Sequence, residues 1–342
     1  KEKEKEEEEG EEPHKDSKRR REMNLDVFKD DVLEGRVAFI TGGGTGIGFG
    51  IATKMVKYGA SVVIMGRRKE VLEKSVQKLE QSAKEKDHYK KRNYPAADYV
   101  CGDVRSFESC TNAVNEAVKK YGRLDILVNN AAGNFMCAAD RLTPKGFKTV
   151  HEIDLHGTFH MTKACFEHLA KKKPNRPQAL SGVIINISAT LQYRATPFQV
   201  HAASAKAGID VMTQTLGVEW GAHGIRCISI APGPIEGTVG GPGGRVFGVN
   251  EGGKEGEKDD WLLDNDTLNQ VPLGRWGKVD DVANVAVFVS SDGGSYLNAT
   301  NIVVDGGAWH GTSGFYHSLK DVVNQKSDEE RKNFKGGVKA KL

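Results

Sequence analysis

No hydrophobic run in this sequence approaches the roughly 18 consecutive apolar residues that a membrane-crossing helix needs, which argues against membrane insertion. No sign of charge dominates either. Forty-nine Lys and Arg stand against 46 Asp and Glu, and the net +3 is too small a surplus to point to nucleic acid. The run Lys18-Arg19-Arg20-Arg21 could mark a nuclear signal or a phosphate patch, but its glutamate neighbours fit a solvated mixed-charge tail better. Cysteine is sparse. The five (Cys101, Cys110, Cys137, Cys165 and Cys227) are odd in number, widely spaced and without a C-x-x-C pair. That excludes a disulfide framework and a zinc site, so no metal is expected, and it fits small core residues in a reducing compartment.

The hydrophobic share is also low, at 38%, and the two ends account for it. Residues 1–24 are almost wholly Lys, Glu and Arg, and residues 311–342 are polar. Such segments bury too little apolar area to offset the cost of ordering the chain, and both are expected to be partly disordered. A chain starting at Lys1 rather than Met is expected to lack its native start, which leaves a lost N-terminal targeting peptide open.

What is present lies between those ends. Residues 25–310 form a stretch long enough to bury a large core without staples. Short β-branched runs alternate with longer helical patterns. Strands are predicted over Arg36–Thr41, Ser61–Met65, Asp98–Cys101, Asp125–Asn129, Gly182–Ile187, Ile225–Ile230 and Asn301–Val304. Helices fall over Gly46–Tyr58, Lys69–Lys86, Phe107–Tyr121, Thr143 to about Lys172, Ser204–Trp220 and Val279–Ser290. The strands are apolar throughout rather than alternating, as they must be when both faces are covered. This predicts one α/β domain: a doubly wound, Rossmann-type, seven-stranded parallel sheet with helices on both faces. Two stretches break the rhythm, Asp87–Pro95 and the Gly-rich stretch from Gly237 to Lys258. Ligands bind at the carboxyl ends of such strands, so about 237–262 is a candidate substrate loop.

Thr41-Gly42-Gly43-Gly44-Thr45-Gly46-Ile47-Gly48 follows a predicted strand and opens a predicted helix. In that context glycines permit a tight turn and a close approach to a pyrophosphate, which the helix N-terminus attracts. The second strand then ends Ile64-Met65-Gly66-Arg67-Arg68. A carboxylate there would accept from a ribose 2′-OH, whereas Arg suits a 2′-phosphate. NADP(H) is therefore expected, with Arg67 as the phosphate ligand, although both arginines could simply begin a solvated helix.

With Asp103-Val104, Asn129-Asn130-Ala131-Ala132-Gly133, Lys206 and Pro232-Gly233 added, the chain resembles the short-chain dehydrogenase/reductase family over about residues 30–310. The resemblance implies that Asp103 and Val104 contact the adenine edge and that Asn130 and Ala131 lie along the cofactor. It implies too that Pro232, Gly233 and Ile235 seat the nicotinamide and that Lys206 binds its ribose. It implies a homotetramer as well. The departures matter more. Where most members carry a catalytic Tyr this sequence has Ala202, and their usual Ser falls on Ala189. A ketone reductase needs that Tyr as the acid for the nascent alkoxide.

Asn129–Phe135, Gln199–Gly208 and Ala231–Thr238 resemble one Tyr-deficient branch, the 2,4-dienoyl-CoA reductases. The Tyr of its mitochondrial members falls on Leu191 here, so the peroxisomal subtype is the nearer match. That likeness implies that Asp154 holds the water serving as acid. It also implies that Lys206 adds positive field, that Asn129 assists, and that His201, Phe135 and Gly237 meet the acyl-CoA. Asp154 could instead pair locally, and His201 could be a packed histidine. His201, Tyr193 or solvent remain other possible proton sources. Arg245, Lys254 and Lys258 are unranked candidates for the CoA phosphates. Ala340-Lys341-Leu342 resembles the tripeptide read by the peroxisomal import receptor. Another enoyl-CoA or carbonyl reductase of the family, or a nucleotide-binding subunit without chemistry, are the competing readings.

Overall fold

The computed structural model describes residues 28–84, 87–90, 92–170, 182–238 and 271–311. The charged N-terminal extension, most of the candidate substrate loop with Arg245, Lys254 and Lys258, and the C-terminal tail lie outside the described residues. Seven strands form one wholly parallel sheet: β1 Val37–Thr41, β2 Ser61–Gly66, β3 Ala97–Cys101, β4 Ile126–Asn129, β5 Gly182–Ile187, β6 Ile225–Pro232 and β7 Thr300–Val304. Their order across the sheet is β3-β2-β1-β4-β5-β6-β7. The direction of winding reverses between β1 and β4, the place where such sheets open a crevice at their carboxyl ends.

Eight helices connect the described strands: α1 Gly46–Lys57, α2 Lys69–Lys84, α3 Asp87–Lys90, α4 Phe107–Tyr121, α5 Pro144–His151, α6 Gly157–Leu169, α7 Val200–Trp220 and α8 Val279–Ser290. Neighbouring residues of each strand enter opposite cores, because strand side chains alternate. Ala38, Ile40, Val62, Ile64 and Ile185 pack with Ile51 and Met55 of α1 and with Val282 and Val287 of α8. Phe39, Val63, Leu127 and Ile184 pack with Val114 of α4, Met161 and Cys165 of α6, and Trp220 of α7. Both faces are covered, which is why the strand sequences show no polar alternation.

The differences from expectation are local. The predicted helix from Thr143 is not regular. Between α5 and α6 the five residues Glu152–His156 form a π-helical segment, and the described part ends at Leu169. Thr158 donates to the Asp154 carbonyl at 2.6 Å, so a side chain partners a carbonyl of that irregular turn. Gly157 follows directly. A Cβ there would lie 2.7 Å from Val104 Cγ2, so glycine lets the helix approach the turn after β3. The helix predicted from Ser204 starts four residues sooner, at Val200. The Asp87–Pro95 insertion is an anchor: Tyr89 donates to the Val56 carbonyl at 2.8 Å, and Arg92 to the Gly59 carbonyl at 2.7 Å.

Candidate active site

The carboxyl ends of the strands line a cleft of about 920 Å³. Its nucleotide end is built around the turn joining β1 to α1. Gly42 has φ +63 and Gly46 φ +55, both left-handed conformations that glycine adopts without strain. A Cβ on Gly48 would stand 2.4 Å from Asn130 Nδ2, so that glycine lets α1 close onto the turn after β4. Thr45, the N-cap of α1, places no side chain on the first helical N–H groups, and the first turn holds no acid. An uncapped helix start with no competing carboxylate fits a pyrophosphate. Gly42, Gly44, Thr45, Gly46 and Ile47 reach the cleft. Thr41 and Gly48 instead hold its frame: Thr41 Oγ1 accepts from the backbone N–H of Asn130 and of Ala131, each at 3.0 Å.

Arg67 and Arg68 line the same end, just past β2. Asp103 and Val104 face it from the end of β3. The Asp103 carboxylate is already engaged by Arg105, whose Nε donates to both oxygens at 3.0 Å, and this pairing holds its pKa low. Asn130 is anchored too, donating to the carbonyls of Thr41 at 3.1 Å and Gly42 at 3.2 Å. With Ala131, with Pro232 at the end of β6, and with Gly233 and Ile235 just after it, it lines the cleft.

The reaction end gathers Asp154 and Lys206. The π-helical segment places Asp154 against the cleft, 1% exposed. Its Oδ1 accepts from Gly133 N at 2.7 Å, and its Oδ2 stands 3.5 Å from Lys206 Nζ without another hydrogen bond among the described residues. Burial pushes its pKa up, against the pull of the Lys206 ammonium and the Gly133 N–H. Lys206 itself donates to the Ile187 carbonyl at 2.9 Å, which orients its ammonium from α7 toward the end of β5. Ala189 and Ala202 line the cleft in place of two hydroxyls.

Five further residues singled out from the sequence stand outside the cleft lining among the described residues. Asn129 is not part of the cleft lining among the described residues. Its amide donates to Thr162 at 3.0 Å and Asn186 at 2.8 Å, so it ties β4 to β5 and α6 beneath the cleft and is not placed to assist chemistry directly. His201 is fully buried and stacks on Phe135 at a centroid distance of 4.3 Å, and neither residue is in the lining. Burial lowers the His201 pKa, opposed by the Phe135 backbone and the Asp154 charge. Gly237 (φ +71) is exposed beside the lining residue Thr238. Tyr193 is no proton source in this arrangement. Its hydroxyl donates to Asp210 at 2.8 Å, and burial and that carboxylate push its pKa far up.

Sequence reasoning missed Arg194, Thr196, Pro197, Trp276 and Ala308, which also line the cleft. It also missed Gln199, 1% exposed, whose Oε1 accepts from Asn134 Nδ2 at 2.6 Å. No local pattern marks the first five, whereas Gln199 opens the stretch Gln199–Gly208 already singled out.

The chain is similar to several known proteins. A family model described as enoyl-(acyl carrier protein) reductase matches residues 42–309. A peroxisomal 2,4-dienoyl-CoA reductase of Arabidopsis thaliana is 42% identical over 302 residues, covering 88% of this chain and 92% of its own. A probable 2,4-dienoyl-CoA reductase of Bacillus subtilis is 40% identical, covering 81% and 98%. Among solved structures, a short chain dehydrogenase from Bacillus anthracis is 37% identical, with a TM-score of 0.63 and coverage of 80% and 96%. The cleft, the sheet and these likenesses together make this chain an oxidoreductase of the short-chain dehydrogenase/reductase family.

Proposed function

We propose that the chain reduces 2,4-dienoyl-CoA to trans-3-enoyl-CoA, using NADPH. The observation that carries this reading is the buried Asp154 facing Lys206 in a cleft where Ala189 and Ala202 stand in place of the Ser and Tyr that a ketone reductase uses. An alkoxide would need that Tyr as its acid; a conjugated thioester does not. Bound nicotinamide supplies the hydride. Electron density arriving at the far end (C5) of the diene moves to the thioester oxygen, and a proton is then required at the α-carbon. Asp154 holds a water that delivers this proton. The Lys206 ammonium holds the ribose and stabilises negative charge nearby. The guanidinium of Arg67 prefers the extra phosphate of NADP(H). The printed names of the Arabidopsis and Bacillus relatives support the substrate but differ in product, (3E)-enoyl-CoA for the first and (2E)-enoyl-CoA for the second. The peroxisomal names of plant and fish relatives support a peroxisomal location.

The test is NADPH oxidation with dienoyl-, enoyl- and 3-ketoacyl-CoA, with product geometry read by chromatography. Turnover of the dienoyl thioester alone, giving the 3-enoyl product, is expected, and Arg67→Ala should abolish the preference for NADPH over NADH. Silence with every dienoyl-CoA despite tight NADPH binding would refute the activity.

A further inference from the structure

Gln199 is the N-cap of α7, yet its side chain makes no capping bond to that helix. It lines the cleft instead, and its Oε1 accepts from Asn134 Nδ2. That bond fixes which end of the amide is which: the oxygen is taken, so the NH2 is the end left over. Gln199 Nε2 is buried and has no hydrogen-bond partner among the described residues. A buried donor left unpaired is costly, and one that lines a reaction cleft calls for a ligand acceptor.

The neighbouring turn says which acceptor. Gly133 N holds Asp154, and the next residue, Asn134, holds Gln199. Consecutive Cα atoms lie about 3.8 Å apart, so the carboxylate and the amide are pinned to adjacent points of one turn. In a thioester the α-carbon is bonded directly to the carbonyl carbon. Groups that handle the proton at the first and the charge on the oxygen of the second must therefore sit side by side. The backbone around Gln199 is held to match: Phe198 keeps φ +62 while its carbonyl accepts from Cys137 N at 2.9 Å.

We propose that Gln199 Nε2 donates to the thioester oxygen of the bound 2,4-dienoyl-CoA and stabilises the charge that oxygen acquires in the transition state. This rests on the dienoyl-CoA reading above. As hydride adds at C5, the C4–C5 π pair moves to C3–C4, the C2–C3 pair to C1–C2, and the C=O pair onto oxygen. The Gln199 N–H meets the resulting charge, which then returns to the α-carbon as it takes up a proton. The oxidised nicotinamide balances the two electrons gained.

Gln199→Leu keeps the bulk and removes the donor. It should lower kcat on the order of a hundredfold, the size found for one lost oxyanion donor, with NADPH affinity unchanged. It should weaken binding of the dienoyl thioester but not of an S-alkyl-CoA thioether, which has no carbonyl. Turnover within about threefold of the unsubstituted enzyme, or equal weakening of thioester and thioether, overturns the assignment. So does a fall in NADPH affinity without loss of kcat, which would give the amide to the cofactor. An arm that needs no variant is the ultraviolet spectrum of dienoyl-CoA bound with NADP+. A donor on the carbonyl shifts the absorption to the red, and an unshifted band overturns the assignment. Absence of any turnover by the unsubstituted enzyme would sink the activity itself, whereas turnover that survives Gln199→Leu sinks this inference alone.

Discussion

Two buried carboxylates meet α7 from different sides, and they are built in opposite ways. Asp210 lies on the helix itself, 5% exposed. Its Oδ2 accepts from Gln192 Nε2 at 2.6 Å and Tyr193 OH at 2.8 Å, and its Oδ1 from Ser229 Oγ at 3.0 Å. Gln192 also donates to Ser188, Tyr193 packs against Trp309, and Ser229 reaches Asn301. Uncharged donors thus close a clasp between the loop after β5, strand β6 and strand β7. Asp154 has one firm hydrogen bond, an ammonium at 3.5 Å and a raised pKa. Burial alone does not identify a reactive acid. A carboxylate whose oxygens are saturated by the protein holds structure; one with an oxygen left over has something for a substrate or a water.

The largest break in that contrast is expected from Asp154→Asn. It should cut kcat by about 10²–10³, within the range of a general acid–base contribution, without weakening NADPH binding. The melting temperature should fall only slightly, since relief of the carboxylate's desolvation offsets the lost attraction to the Lys206 ammonium; steady-state kinetics with calorimetry checks both halves. Asp210→Asn should do the reverse. Donors lose a charged acceptor, costing about 3 kcal/mol and lowering Tm by roughly 6–12 °C, while kcat at saturating substrate changes far less than in the Asp154 variant. Were both variants to lose activity in step with stability, the distinction between the two carboxylates would collapse.

The smallest effect concerns His201. Its folded pKa is lowered below the ordinary 6.5, so the fold favours the neutral ring. The unfolded chain then takes up the proton first as pH falls, and stability present above about 6.5 is lost on going down through that value toward the lowered folded pKa. His201→Phe should flatten this acid-side loss in Tm measured from pH 8 to 5 and leave kcat at pH 7.5 nearly intact. A large loss of kcat would return His201 to the reaction.

Much of the fold was legible because it is written locally. β1, the glycine turn and α1 need only short-range signals, and Arg67 follows directly from the end of β2. The wall containing Asp103, Asn130, Lys206 and Pro232 was legible through motifs of the family. The remainder was hidden by distance along the chain. The Asn134–Gln199 bond spans 65 positions and the Tyr193–Asp210 bond 17, and no periodicity reports such meetings. Asn129 and His201 were misplaced for a local reason instead. Their neighbours face the cleft, but alternation along β4 and rotation along α7 turn these two inward.

The π-helical segment at Glu152–His156 has a consequence for how this site could change. A π segment amounts to an α-helix with one residue too many. Deleting a single residue there would restore regular winding, so the helical turns on either side would keep their seats while the widened turn that carries Asp154 closed up. Asp154 would leave the cleft while α6 kept its seat against Val104 and the sheet. One codon's worth of chain length therefore separates a helix that merely packs from one that brings an acid to the substrate.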